Sequence, residues 1–299
     1  MSAAGYEISS KALQHALKLI VEHEHMHLET LKYMLAQTHV AIFYPLHHAE
    51  AIECEKVQVQ SGTVIPGVAK REGYASLLDN EHDTKPRYVK PFVVEKYAVT
   101  NSQYLQFINA GGYEEKSLWD DHWNWIKNNG IQMPATWRKR GDTYEVSYVP
   151  TEQDEDSDIA ERPVIVSIAE AKAYANWKGA RLPTEEEWIR AAVRDAEEPL
   201  FDRGWLPVHK GSESWSGVVG LCGNGWEITS TLFESFEGFE PSILYPLYSE
   251  EFFDGNHYVL KGASPFTDPF LSRTSFRNFF QPCYRYLMAK FRLAWDEKQ

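Results

Sequence analysis

The sequence predicts an α+β protein in which a helical N-terminal piece precedes a large domain of short strands, short helices and loops. Residues 8–40 carry apolar residues at helical spacing, and the chain beyond residue 91 alternates short β-like runs with turns. Aromatic residues make up 14% of the chain, which is typical of a well-packed globular body.

The N-terminal helix is predicted from apolar positions that recur at intervals of three and four. Ser9 or Ser10 is a candidate N-cap, and Pro45 is expected to mark the end of the helical region. The apolar positions are Leu13, Leu17, Ile20, Leu31, Met34 and Leu35. Residues 41–90 are then interpreted as an irregular connector with strand-like pieces at 56–60 and 62–66.

The second part of the chain has its own element pattern. The run FVVEKYAV predicts a strand, and segments 101–110 and 167–178 predict helices. A further short helix is expected after Thr184, because the sequence T-E-E-E forms a capping box ahead of Trp188. After residue 200, short segments rich in aromatics and glycine show little helical period.

Bulk composition narrows the classes of partner and compartment. The formal net charge of -13 argues against nucleic acid or an anionic membrane as the main partner. Three cysteines, Cys54, Cys222 and Cys283, are too few for a disulfide framework and favour a reducing, cytoplasmic compartment. The sequence shows no secretory signal and no apolar run of the roughly 20 residues that a membrane helix needs.

The segment HEHMH, which starts at His23, fits the pattern H-E-x-x-H. On a helix, His23 and His27 are about 40° apart and about 6 Å from each other, which suits two ligands of one metal. His25 is about 200° round the helix and cannot join them. Glu24 and Glu29 are placed either to accept hydrogen bonds from the ligands or to face solvent.

Three interpretations of this segment remain open from the residues alone. The histidines can be ordinary residues of an amphipathic helix. In a zinc protease, Glu24 would be the general base; His39 is about 18 Å further along the helix, whereas His47 and His48 follow Pro45 and could supply a third ligand. The third interpretation is a three-histidine non-haem iron site in a helical bundle.

Five segments of the second part together resemble the formylglycine-generating-enzyme (sulfatase-modifying factor) domain. They are KYAVTNSQYLQFI (96–108), RPVIVSIAEAKAYANWKGARLPTEEEWIRAA (162–192), GNGWEIT (223–229), LKGAS (260–264) and FRLAWD (291–296). The resemblance implies a C-type-lectin-like fold. Within that fold we expect Arg181, Glu187, Trp188 and Trp226 to be scaffold residues.

Two branches of that family differ in chemistry. The copper-dependent branch carries a reactive cysteine pair near the C-terminus, where this chain has only Cys283. The other branch joins the domain to a DinB-like bundle with an H-x-x-x-H motif, and comprises the iron-dependent sulfoxide synthases of ergothioneine and ovothiol biosynthesis. HEHMHLETLKYML, TSFRN and RLAWD resemble this branch. The implied parts are a partial DinB-like helical region (1–45), a connector leading into the second domain (46–90) and the lectin-like domain (91–299).

The resemblance also implies a cofactor, substrates and roles for residues. His23 and His27 would be two of three ligands of Fe(II). The substrates would be O2, the thiol of cysteine or γ-glutamylcysteine, and Nα-trimethylhistidine, whose imidazole C2 receives the sulfur. The segment YPLYSEEFF places the catalytic tyrosine at Tyr245 and a substrate-pocket neighbour at Tyr248. A phenol can give a proton or a hydrogen atom without carrying a charge. Both can instead be packing residues.

The segment SFRNFFQP (275–282) resembles the substrate-lining loop of the family. Asn278 matches an asparagine that holds the trimethylhistidine carboxylate. Arg277 and Arg273 are further candidates for carboxylate binding, with structural salt bridges as the alternative. Phe279 and Phe280 stand where some bacterial members have Trp and Asp, which favours free cysteine as the thiol.

The chain departs from the family pattern at the third iron ligand. Only 22 residues precede His23, and His15 is about 12 Å away along the same helix. We therefore expect a shortened product, a site completed by a partner chain or by a loop histidine (His47, His48 or His82), or loss of catalysis. The two function hypotheses are a sulfoxide synthase and a catalytically silent scaffold or binding protein. A half-bundle would expose an apolar helix face and favour an oligomer.

Overall fold

A computed structural model describes residues 10–35, 37–38, 42–46, 54–68, 78–83, 85–148, 159–194 and 199–297. The helices are α1 (Ser10–Leu35), α2 (Asn101–Asn109), α3 (Trp123–Asn128), α4 (Ile168–Trp177) and α5 (Glu185–Ala192). The strands are β1 (Ile42–Leu46), β2 (Lys56–Val59), β3 (Gly62–Val64), β4 (Arg87–Val89), β5 (Phe92–Glu95), β6 (Trp137–Arg140), β7 (Thr143–Tyr148), β8 (Trp226–Leu232), β9 (Tyr258–Lys261), β10 (Asn278–Phe280), β11 (Ala289–Lys290) and β12 (Ala294–Asp296).

The predicted N-terminal helix is confirmed as α1, but it ends at Leu35. Pro45 does not end a helix as expected; it lies inside β1, which pairs antiparallel with β7. The order of that sheet is β1-β7-β6, so β1 is an edge strand. A proline is tolerated there because an edge strand has one side on which no neighbour needs its N–H.

The other strands form three small sheets. The largest has the order β10-β9-β8-β11, with β11 parallel to β8 and the other pairs antiparallel. A second sheet has the order β12-β5-β2, and β3 pairs with β4. The predicted connector therefore supplies β2, β3 and β4, and β2 is hydrogen-bonded to β5 of the following segment.

Three helices of the second part, α2, α4 and α5, begin with a side-chain cap. Thr184 accepts a hydrogen bond from the backbone N–H of Glu187, whose side chain accepts one from Thr184 in return, which confirms the predicted capping box of α5. Helices α2 and α4 begin with the same arrangement at Thr100 and Ser167. Each cap satisfies backbone donors that the first helical turn cannot.

The expected scaffold residues are confirmed as structural. Arg181 pairs with Glu187 at 2.7 Å, and Trp188 and Trp226 are buried. The aromatic core is centred on Tyr104, which stacks on Tyr174 with ring centroids 5.5 Å apart. In the described part of the chain, no helix combines the length and the apolar character that crossing a bilayer requires.

Candidate functional site

One face of helix α1 packs against the rest of the molecule and is formed by Glu22, Met26, Glu29 and Tyr33. These residues follow each other at intervals of four, three and four, so they lie in one row along the helix. All four are partly or fully buried. We call this row the docking face. Because each of its members makes a polar contact with the lectin-like part, the rotation of α1 about its axis is fixed.

Glu29 makes the most extensive of these contacts. Its buried carboxyl accepts hydrogen bonds from Trp226 Nε1 at 2.7 Å, Ser264 Oγ at 2.5 Å and Thr267 Oγ1 at 2.8 Å. Burial raises the pKa of Glu29 above its ordinary value, and the three hydrogen bonds oppose this. Glu29 therefore neither accepts hydrogen bonds from the histidines nor faces solvent, as had been expected, but anchors the helix. Glu24 is exposed, in agreement with the solvent-facing alternative.

The imidazoles of His23 and His27 lie on the neighbouring stripe of α1, with ring centroids 4.4 Å apart. Burial, together with the nearby His27, lowers the pKa of His23. The neutral form, which has a lone pair for a metal, is therefore favoured. His25 is separated from the pair as expected, and its Nδ1 lies 3.4 Å from Asp268.

A tyrosine loop, residues 242–249, covers this stripe. The Tyr245 ring packs edge-on against His23, with centroids 5.4 Å apart, and it is 38% exposed. Tyr248 lies beneath it, and its hydroxyl donates to Met26 Sδ at 3.2 Å. Burial and the nearby carboxylates of Glu81 and Asp79 raise the pKa of Tyr248, so its phenol stays neutral.

The predicted substrate segment reaches the same region through β10. Phe279 lies 6.2 Å from Tyr248 between ring centroids and stacks on Phe233 at 4.0 Å. Phe280 points to the opposite face of the strand and stacks on Tyr284. Asn278 is half-buried, and its Oδ1 accepts from the N–H of Phe279 at 3.1 Å, which leaves its side-chain amide to other partners.

The two candidate arginines are both engaged with carboxylates. Arg277 is 2% exposed and pairs with buried Glu185 at 3.0 Å. Arg273 lies between two buried glutamates and contacts Glu22 at 3.0 Å and Glu81 at 2.5 Å. This is the salt-bridge arrangement that the sequence left open as the alternative to substrate binding.

The donor set fits a partial metal site. Two imidazoles of one helix point the same way, which suits two ligand positions. Among the residues that the structure describes, no group of three His, Cys, Asp or Glu side chains lies together as metal ligands, so His82 does not complete the pair. His39, His47 and His48 lie outside the described residues, as does the side chain of His15.

Residues that sequence reasoning missed surround this site. Glu22, Asp79 and Glu81 are all buried beside it. Glu22 and Glu29 share the docking face, and their helical spacing with Met26 and Tyr33 was visible in the sequence. The burial of two glutamates was not, because charged residues at such positions are usually solvent-facing.

Comparison with known proteins adds independent information. Residues 47–205 match the family profile described as the sulfatase-modifying factor enzyme 1-like domain. The solved structure of Treponema denticola variable protein 1 superposes with a TM-score of 0.50, at 15% identity, over 86% of this chain and 99% of that one. This likeness concerns the fold alone. The fold is α+β and C-type-lectin-like, as expected.

Three relatives share names connected with ergothioneine. Hercynine oxygenase of Mycobacterium tuberculosis is 34% identical over 73% of this chain and 56% of its own length. Hercynine oxygenase of Mycolicibacterium thermoresistibile is 32% identical over 94% of this chain and 69% of its own length. Ergothioneine biosynthesis protein 1 of Schizosaccharomyces pombe is 31% identical over 72% of this chain and 27% of its own length. The chain thus spans about half of the first relative.

The profile match covers more than half of the chain, and the second relative aligns over more than two thirds of its length. The chain belongs to the ergothioneine-type sulfoxide synthase family, together with the hercynine oxygenases and the ergothioneine biosynthesis proteins.

Proposed function

We propose that this chain acts in ergothioneine biosynthesis as a non-haem iron, O2-dependent sulfoxide synthase. The reaction joins the thiol of a cysteine-type substrate to C2 of the imidazole of Nα-trimethylhistidine and oxidises the sulfur once. One S–H and one C–H are consumed, one oxygen atom of O2 enters the sulfoxide, and the other leaves as water. Iron(II) supplies the oxygen chemistry when bound, and the protein supplies orientation and protons.

The observation that carries this proposal is the contact of the His23–His27 pair with Tyr245. Two imidazoles on one helix offer two ligand positions, and a phenol lies 5.4 Å from one of them between ring centroids. A tyrosine so placed can deliver a proton beside the metal position without bringing a charge into the pocket. Names of relatives in this family support the same pathway.

The substrate roles follow from the residues around the pair. Asn278 would hold the carboxylate of trimethylhistidine through its side-chain amide, and Tyr248 would line the pocket. Phe280 offers no carboxylate for the γ-glutamyl amine, so we propose free cysteine as the thiol.

Domain organisation belongs to the same proposal. Helix α1, within residues 1–45, would be a metal-binding helix of a DinB-like bundle. Residues 91–299, together with strands of 46–90, would form the lectin-like domain that supplies the tyrosine loop. The third ligand would come from outside the described residues or from a partner chain.

Anaerobic Fe(II) titration tests the proposal. Metal retained after desalting is measured for the wild type, for a variant carrying both His23→Ala and His27→Ala, and for His25→Ala. His25 is the matched control because it lies on the same helix and pairs with Asp268 instead. We expect about one iron per chain in the wild type and the control, and loss in the double variant. Sulfoxide formation from trimethylhistidine, cysteine and O2 is then assayed by mass spectrometry.

A catalytically silent scaffold is the second candidate. It is favoured by the two-member ligand set of the described residues. Equal metal content in the wild type and the double histidine variant would support it and would contradict the proposed oxygenase activity of the chain by itself.

The outer face of α1 suggests a partner. Eight of its apolar side chains are 43–58% exposed: Leu13, Leu17, Ile20, Val21, Leu28, Leu31, Met34 and Leu35. We propose that another helical segment or a second copy covers them, because a contiguous apolar patch of this kind favours association. A variant carrying both Leu17→Glu and Leu31→Glu should sediment as a monomer, with a lower sedimentation coefficient than the wild type. A wild type that already sediments as a monomer would contradict self-association.

A further inference from the structure

The short 3-10 turn Asp79–Glu81, which we call the DNE turn, is attached to both ends of the tyrosine loop. Asp79 Oδ2 accepts from the backbone N–H of Ser242 at 3.1 Å, and Asp79 Oδ1 accepts from the Ser249 hydroxyl. Asn80 Nδ2 also donates to Ser249 Oγ at 3.0 Å. The turn therefore holds the loop on either side of Tyr245.

The same turn reaches the histidine helix through Arg273. Glu81 accepts from Arg273 Nε at 2.9 Å and from Ser275 Oγ at 2.6 Å. Arg273 in turn donates to both carboxyl oxygens of Glu22, at 3.0 and 3.1 Å. Glu22 directly precedes His23, so the chain of contacts runs from the tyrosine loop to the stripe of α1 that carries His23 and His27.

Burial and geometry make this connection rigid. The three residues of the DNE turn are buried, and Glu81 has no exposed surface. A guanidinium that forms paired hydrogen bonds with two carboxylates fixes both distance and angle. The tyrosine loop also contacts α1 directly, through Tyr245 on His23 and Tyr248 on Met26, and the polar relay adds a second connection between the two.

We propose that Asp79, Glu81 and Arg273 are positioning residues, which set the separation between Tyr245 and the His23–His27 pair. The catalytic meaning of this role rests on the proposed function, whereas the positioning itself does not require a bound metal. Arg273 then acts on the site through Glu22, and it is not required to bind the carboxylate of trimethylhistidine.

A single 3-fluorotyrosine at position 245 reports the relevant contact. Its ¹⁹F resonance is recorded in four proteins: the wild type, His23→Ala, Asp79→Asn, and the double variant with both changes. Removing the His23 ring should shift the resonance in the wild type, because the two rings are in contact. In Asp79→Asn we expect at least half of that shift to be lost, since an amide has one acceptor oxygen and cannot keep both of the contacts that Asp79 makes with the ends of the loop.

The matched control is Asp254→Asn. Asp254 accepts from backbone N–H groups of its own loop, including Asn256 at 2.8 Å, and pairs with His257; within the described part of the chain no hydrogen bond joins it to the tyrosine loop. The His23-dependent shift should persist there. Ser249→Ala is a milder second variant in case Asp79→Asn fails to fold, and it should lose part of the shift. Arg273→Gln should lose the His23-dependent shift. Arg273→Lys should keep part of the shift, because lysine retains the positive charge but lacks the paired N–H donors of the guanidinium.

The outcomes separate the two proposals. A full His23-dependent shift in folded Asp79→Asn or Ser249→Ala overturns the positioning role, whatever the metal content. If the shift behaves as expected but the chain binds no iron, the positioning stands and the proposed activity of the isolated chain fails.

Discussion

Tyr245 combines two properties that packing tyrosines seldom share. Its ring is in contact with His23, yet the residue is 38% exposed. Replacing Tyr245 with Phe keeps the ring and removes only the proton donor. We expect sulfoxide formation to fall by about 10²–10⁴-fold, with stability changed by less than about 0.5 kcal/mol. Initial rates and urea unfolding check this; an unchanged rate would assign the tyrosine to packing.

Arg277 and Asn278 are adjacent, but their surroundings predict opposite consequences of substitution. Arg277 is the buried partner of Glu185, with Lys261 at 3.4 Å from the same carboxyl oxygen. Arg277→Met should lower the free energy of unfolding by about 3–5 kcal/mol, because it leaves a buried carboxylate short of a partner. Chemical denaturation measures the loss.

Asn278→Ala should instead weaken the binding of trimethylhistidine. Losing a hydrogen bond to a charged group costs about 1.5–3 kcal/mol, or about tenfold or more in Kd. Isothermal titration calorimetry of the two variants compares them directly. If Arg277→Met proves stable and binds trimethylhistidine weakly, the substrate role of Arg277 is correct and the structural one is not.

At the level of elements, α1 is docked through buried polar groups as well as apolar ones. Glu29→Ala would leave Trp226 Nε1 and the hydroxyls of Ser264 and Thr267 without their acceptor, at a cost of about 1–3 kcal/mol for each buried group. Amide hydrogen exchange in α1 should accelerate by about 10–100-fold, with little change in β8.

Glu24→Ala is the matched control for that exchange experiment. Glu24 lies on the same helix and is exposed, so its removal should leave the protection of α1 within about threefold of the wild type. Equal protection of the α1 amides from exchange in the wild type, Glu29→Ala and Glu24→Ala would mean that Glu29 does not hold the helix.

The elements themselves were largely predictable. Helices α2, α4 and α5 begin at capping residues that the sequence displays, and β5 begins where FVVEKYAV starts. Strand β1 was not predicted, because IFYPL contains a proline and only its edge position makes that acceptable. The end of α1 was also placed too late, since no glycine or proline punctuates the sequence near Leu35.

At the scale of the whole molecule, a buried ionic cluster ties separate segments together. Glu227 of β8 contacts Lys290 of β11 at 2.7 Å and Arg292 at 2.6 Å. Burial alone would raise the pKa of Glu227, but the two cations outweigh it and hold that pKa below its ordinary value. This contribution is present above the ordinary carboxyl pKa of about 4.3 and is lost as the pH falls through the lowered value.

Glu227→Gln should therefore cost about 3–5 kcal/mol at pH 7, and stability should fall less steeply than in the wild type as the pH drops below about 4. Urea unfolding from pH 7 to pH 3 measures both effects, with the exposed Glu251→Gln as the control. Parallel pH dependences in the wild type and Glu227→Gln would contradict the linkage.

The fold class, the family, the His23–His27 spacing and the starts of α2, α4 and α5 were predictable from the sequence. These depend on local spacing, on capping chemistry and on motifs that are read along the chain. Tertiary contacts were needed to establish that Tyr245 contacts His23, that Arg273 and Arg277 are held by carboxylates, and that Glu29 is an anchor. Those contacts join groups that are between 92 and 251 residues apart in the chain, and they depend on whether burial leaves a charge with a partner.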